Sequence, residues 1–437
     1  MNNDLFTSMP VRKAYMKLAV PVVLSMVVTL IYNMVDTFFI AHTNNAALVA
    51  GVALCSPIFT LMIAVGDILG LGGSSVISRQ FGMQKYDDGK KLSAFCFYGA
   101  IAEGLVIAAL LFAFRTPVLN LLGADSTTLP HAKQYYSFLL LGAPAIILTF
   151  TPSNILRTEG LAKESMFGTV LGAVINMILD PVFIFGLQMG AAGAAIATVI
   201  GYICSDLFFI RVLLKKSKRL SSSISDVRVS RQKISEILAI GLPASITNLM
   251  QSICVALTNR TLLPYGTNHI AAMGIVMKVS MIAMLILVGF AYGAQPLIGY
   301  NYGSGDRKRL KAVLGFGYRF EIILALVFTA VLSVAAKPIL GVFMNDTDIV
   351  RLGVPMLRLQ QAGMAFMSVV LITTCAFQAA GKALGAFLLS VSRQGVIFAL
   401  VLVIASHVFG YYGILASQAV SDLLTAGLAL ILYRRYM

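Results

Sequence analysis

Apolar residues recur in long stretches from one end of the chain to the other, with short polar segments between them. Twelve stretches stand out, at about 14–41, 46–78, 92–114, 134–157, 165–188, 191–214, 236–262, 268–300, 310–335, 350–378, 384–408 and 411–433. At about 1.5 Å of rise per residue, each is long enough as a helix to cross a hydrocarbon core about 30 Å thick. The polar segments alternate in charge. Arg12, Lys13 and Lys17 open the chain, and Arg79, Lys85, Lys90 and Lys91 follow the second span. Arg157 and Lys163 follow the fourth, and Arg307, Lys308, Arg309 and Lys311 the eighth. The segments between them hold little beyond Arg115, Lys133, Lys337 and Arg351. Basic loops stay on the cytoplasmic side, so both termini and every loop after an even-numbered span are expected there.

The pattern also repeats. Pro117-Val118-Leu119 with Asp125 matches Pro338-Ile339-Leu340 with Asp346 at an offset of 221 residues, as do Gly142 with Gly363 and Gly160 with Gly381. Ala19-Val20-Pro21 meets Gly241-Leu242-Pro243 at an offset of 222. A near-constant offset along the chain implies two copies of a six-helix unit. Six is even, so the copies run parallel, related by an axis along the membrane normal, and substrate sites in such folds lie between the halves. The expected fold is an all-α polytopic membrane protein, with twelve transmembrane helices arranged as two pseudo-twofold-related six-helix bundles. The expected divisions are an N-terminal lobe over 1–214, a basic cytoplasmic linker over 215–235 and a C-terminal lobe over 236–437.

Composition sharpens the class. Of 437 residues 58% are hydrophobic and 12% charged, and the mean hydropathy is +0.87, which fits a membrane protein and no soluble domain. The formal charge of +15 is spread over the loops as a topology signal, so no nucleic-acid partner is expected. The first span has no small-residue cleavage site behind it and is expected to remain in the mature protein. The five cysteines lie in apolar segments without metal-ligand spacing.

Candidate chemistry lies where acids interrupt the spans. Asp36 sits in the second half of the first span with Tyr32 and Asn33 within one turn of it. An Asp at mid-membrane costs about 2.5–3.5 kcal/mol on insertion scales, so it requires a partner, a water-filled cavity or a proton. In the fifth span Asn176 and Asp180 are four apart and share a face, although an Asp-Pro step also suits a turn at a helix end. Thr198 in the sixth span adds a hydroxyl. Asp36, Asn176 and Asp180, with Asn33 and Thr198, offer hard oxygen ligands for Na⁺ or a shared proton. At the repeat offsets Asp36 meets Thr258 and Asp180 meets Val401, so the acidic pair belongs to the first copy alone. Asp67 and Glu103 are further intramembrane acids, with Lys278 and Arg393 as candidate partners. Tyr32, Asn154, Asn248 and Gln251 are the polar candidates for a substrate cleft.

At these residues the chain resembles the multidrug and toxic compound extrusion (MATE) transporters over nearly its whole length. The most specific segment is Gly289-Phe290-Ala291-Tyr292-Gly293-Ala294-Gln295-Pro296-Leu297-Ile298-Gly299-Tyr300-Asn301-Tyr302-Gly303, which is similar to that family's signature. Asp36 with Pro21 before it, Asn176, Asp180 and Thr198 also match family positions. The resemblance implies efflux of cationic or amphipathic organic compounds driven by H⁺ or Na⁺ through the N-terminal lobe, with no other cofactor. It also implies Pro21 as a hinge, in keeping with the backbone hydrogen bond that a helix Pro removes. Such a transporter is expected to be monomeric, surrounded by membrane lipids, in the plasma (inner) membrane. The chief rival is a flippase for lipid-linked oligosaccharides or other lipids, which would favour a basic cleft. Here mid-span cations are few (Arg260, Lys278, Arg319, Arg393) and acids are at hand. A membrane enzyme is disfavoured because no His cluster or nucleophile–base pair stands out.

Overall fold

Backbone groups inside a bilayer have no water to bond, so an apolar chain crosses as helix. A computed structural model describes residues 3–343 and 346–436, with the side chains of residues 248 and 249 outside that description. Among the described residues there is no strand. The crossings are α1 (Val11–Ala41), α2 (Ser56–Gly82), α3 (Tyr86–Ala113), α4 (Leu129–Leu141 with Ala143–Glu159), α5 (Ala162–Pro181), α6 (Gly190–Lys215), α7 (Arg231–Leu262), α8 (Thr267–Gly293), α9 (Arg307–Val334), α10 (Thr347–Gln361 with Met364–Ala380), α11 (383–409) and α12 (411–436). Two of them are bent pairs: α4 joins Leu129–Leu141 to a second helix from Ala143 at 51°, and α10 joins Thr347–Gln361 to Met364–Ala380 at 44°. The last two lie in one helical run, Ala383–Tyr436, divided where Gly410 leaves helical geometry (φ 56°, ψ −131°). Residues 383–409 make α11 and 411–436 make α12, which brings the crossings to the twelve read from the sequence.

The repeat is visible in local geometry. The bends in α4 and α10 fall at the matched pair Gly142 and Gly363. Helix ends at Gly160 and Gly381 both adopt left-handed backbone, φ 85° and 76°, the conformation that glycine tolerates without strain. Asp125 and Asp346 both turn their carboxylates onto backbone amides two and three residues ahead, Thr127 and Thr128 in one case, Asp348 and Ile349 in the other.

The chain forms two compact units, residues 24–245 and residues 1–23 with 246–437. Both divisions fall inside proline helices, two residues beyond Pro21 in α1 and beyond Pro243 in α7. In the first unit, residues 231–245 of α7 lie tight on α2: a Cβ on Gly241 would stand 2.0 Å from the Ile68 carbonyl oxygen, and one on Gly72 2.4 Å from that of Ile237. The basic stretch 215–235 belongs to this unit too, held by Lys216–Glu164 (3.0 Å) and Lys90–Asp226 (3.4 Å). In the second unit, the start of α1 lies on α8 and α9. A Cβ on Gly293 would stand 2.5 Å from Ala19 Cα, and the Tyr15 ring meets Phe316 edge-on at 5.2 Å. The segment 289–303 is packed core of this unit, with Gln295 Nε2 donating to Gln378 Oε1 of α10 at 3.3 Å.

Candidate ion site in the unit of residues 24–245

Close packing of α5 on α6 builds the site. A Cβ on Gly172 would lie 2.1 Å from Ser205 Oγ and 2.6 Å from the Gly201 carbonyl oxygen, so the helices meet glycine to glycine. One turn beyond Gly172 on α5, Asn176 then reaches α6, and its Nδ2 donates to Thr198 Oγ1 at 3.3 Å. The same amide nitrogen donates to Asp180 Oδ1 at 3.3 Å. Asp180 is fully buried and helical, which removes the turn-capping alternative. From α1, the Asp36 carboxyl comes within hydrogen-bonding reach of Asp180. The Tyr32 hydroxyl lies similarly close to Tyr202 of α6.

Thus Tyr32, Asp36, Asn176, Asp180 and Thr198, chosen from three separate spans, gather in one place. Asp36 Oδ1, Asp180 Oδ2 and Asn176 Oδ1 are all buried acceptors with no donor. Unpaired buried acceptors are expensive, and two carboxylates side by side repel. Such an arrangement is suited to a proton or a small oxygen-loving cation, with Thr198 Oγ1 among the oxygens close by. A cavity of about 40 Å³ adjoins the cluster, lined by Thr29, Tyr32, Thr149, Asn176, Thr198 and Tyr202 among others. A water occupies roughly 10–15 Å³ on this measure and a drug-sized ligand fills several hundred, so the space suits an ion with water.

Other expected residues lie elsewhere. Asn33 is exposed and does not line the cavity. Asn154 spends its amide within its own surroundings, donating to the Phe150 carbonyl and accepting from Arg157. Gln251 belongs to the other unit, where it accepts from Gln394. The Asn248 side chain lies outside the described residues. Arg393, a candidate partner for Asp67 or Glu103, is instead held by Asp422 at 2.9 Å. Sequence reasoning also missed Asp206, buried on α6 and bonded by Thr149 Oγ1 at 2.6 Å. Thr198, Tyr202, Ser205 and Asp206 follow a helical face, the same signal that exposed Asn176 and Asp180.

Comparison with known proteins agrees with this architecture. A family model described as MatE matches residues 21–182 and 243–406. The multidrug export protein MepA of Staphylococcus saprophyticus is 29% identical over 427 residues, 98% of this chain and 94% of that protein. MepA of Staphylococcus aureus (strain MSSA476) is 29% identical over 432 residues, with coverage of 98% and 94%. A crystal structure of MATE in the bent conformation superposes with a TM-score of 0.92 at 25% identity, covering 97% of this chain and 95% of that one.

Proposed function

Because the chain belongs to the multidrug and toxic compound extrusion family of membrane transporters, we propose that it exports cationic or amphipathic organic compounds in exchange for H⁺ or Na⁺. The observation that carries the reading is the trio of buried oxygens without donors on Asp36, Asn176 and Asp180. Ionised, Asp36 holds a cation or attracts a cationic substrate. Neutralised by a proton or Na⁺, the pair loses that attraction and the substrate leaves, so one binding event excludes the other. Export of drugs by the MepA relatives supports the substrate class.

Alternating access requires an element with two positions. The first helix supplies one, since Pro21 lies two residues before the chain passes from one compact unit to the other. A helix Pro lacks the N–H that would tie it to the preceding turn, which makes bending inexpensive there. The basic loops support cytoplasmic termini in the cell membrane.

Uptake of a fluorescent cationic dye into everted vesicles, with pH and Na⁺ gradients imposed separately, tests the exchange. One gradient should drive accumulation, and the other should not replace it. Dye movement indifferent to both gradients would overturn the proposal.

A further inference from the structure

Glu321 is a buried acid that the ion site does not use. It lies on α9, in the unit of residues 1–23 and 246–437, with no exposed surface. Neither Oε1 nor Oε2 has a hydrogen-bond partner. The salt bridges among the described residues run between other groups. The other deeply buried acid of this unit, Asp422, differs because Arg393 neutralises it. An ionised carboxylate left alone in such a place costs several kcal/mol, so Glu321 must be neutral here.

Its surroundings say what neutralises it. Tyr15, from the start of α1, is also fully buried, and its hydroxyl has no partner. That hydroxyl lies 3.4 Å from where a Cβ of Gly317 would stand, one turn before Glu321 on α9. The titratable groups that act on Glu321 are Tyr15 of α1 and Tyr318 of its own helix, and Cys375 of α10 lies near both of those tyrosines. Tyr318 is already paired with Thr373 at 2.8 Å, and Cys375 donates to the Ala291 carbonyl at 3.2 Å. Ser368 Oγ is spent on the carbonyls of Met364 and Glu321. Phe316, Phe320 and Phe290 form an edge-to-face and stacked cluster beside Tyr15. With Tyr318, Cys375 and Ser368 bonded elsewhere, a proton, which requires no shell of ligands, suits the place better than a metal cation.

We propose that Glu321 is a second proton-binding site, covered by Tyr15, which holds its proton while the start of α1 packs on α9 and exchanges it with water when that segment withdraws. The proton comes from and returns to the aqueous phase, and no bond other than the carboxylic O–H forms or breaks. By linkage, the packed position binds one more proton than the withdrawn one, so lowering the pH favours packing. The site does not depend on the ion-exchange reading of Asp36 and Asp180, although it places a second titrating group on the track of the same helix.

Two measurements on the purified full chain in lipid nanodiscs test this. Infrared difference spectra across a pH titration should show a carboxylic C=O band that is absent in Glu321→Gln and retained in Asp36→Asn. Tyr15→Phe should keep the band and shift its midpoint. Spin labels at the exposed Lys13 and Lys311, both within this unit, should approach as pH falls, and that dependence should vanish in Glu321→Gln. Should Glu321→Gln fail to fold, the shift in Tyr15→Phe and the wild-type label distances carry the test. A band that survives Glu321→Gln, a band insensitive to Tyr15→Phe, or a label distance indifferent to pH in the wild type would overturn the proposal. Loss of dye export in Asp36→Asn with the Glu321 band intact would separate the two sites.

Discussion

Asp180 and Asp422 are both deeply buried carboxylates, one in each compact unit, and both accept from an amide one turn away on the same helix. Their company differs. Asp422 has Arg393 at 2.9 Å, so its charge is answered within the fold. Asp180 has Asp36 for a neighbour and no salt bridge, with acceptor oxygens left over on both. A buried acid paired to Arg is finished business, whereas a buried pair of acids stays open to a proton or cation from outside. The proposed exchange thus draws on what the fold leaves unsatisfied, which burial alone does not reveal.

The comparison breaks most easily at Asp36. Asp36→Asn preserves shape and removes charge, and gradient-driven dye export should fall to the background of vesicles lacking the protein. Its repeat counterpart Thr258, buried and bonded to the Cys254 carbonyl at 2.9 Å, is the control. Thr258→Ala should cost about 1 kcal/mol of stability and leave export intact. Export at wild-type rates in Asp36→Asn would refute the exchange site.

Next comes Asp422. Asp422→Ala strands Arg393 without its carboxylate and should destabilise by about 3–5 kcal/mol, read as earlier thermal unfolding in detergent. Replacing both, as Arg393→Met with Asp422→Leu, should recover most of the loss and retain ion-dependent export. If the double variant uncouples export from the gradient, the pair is not merely structural.

Gly172→Ala sharpens the contrast from the packing side. Its Cβ would meet Ser205 Oγ at 2.1 Å, so α5 and α6 must part. About 1–3 kcal/mol of stability should be lost, together with driving-ion affinity, because Asn176 and Thr198 separate. Gly274 offers open space for a Cβ, so Gly274→Ala should do neither.

The smallest effect belongs to the loop at Asp125. Hydrogen bonds from the Thr128 and Thr127 backbone and hydroxyls hold the Asp125 carboxyl well below the usual carboxylate range. A depressed carboxyl contributes its stability above the unfolded value near pH 4 and loses it as pH falls through the folded value. Amide exchange at Thr127 and Thr128 should therefore stay slow at mildly acid pH and speed up only in strong acid, and Asp125→Asn should speed it throughout. Unchanged exchange in that variant would show that the carboxylate does not hold the turn.

Topological class, the number of crossings and the internal repeat were legible in the amino-acid order. Hydrocarbon forces every spanning backbone into helix, and a helix writes its length into the apolar run. Pairs such as Gly160 with Gly381 were legible because a left-handed backbone demands the same residue in both copies. Asn176 and Asp180 announced themselves through the 3.6-residue period, and by that period Asp206 was legible too, though missed. What only the tertiary structure decided was company. No spacing along the chain says that Arg393 faces Asp422, that Asp36 faces Asp180 from another helix, that Asn33 stays exposed, or that Tyr15 comes near Glu321 more than three hundred residues away. Those pairings follow from where helices touch, at contacts as small as a missing Cβ on Gly172 or Gly317. An acid's charge is a local property of sequence, but whether that charge is answered depends on the neighbours that packing brings to it.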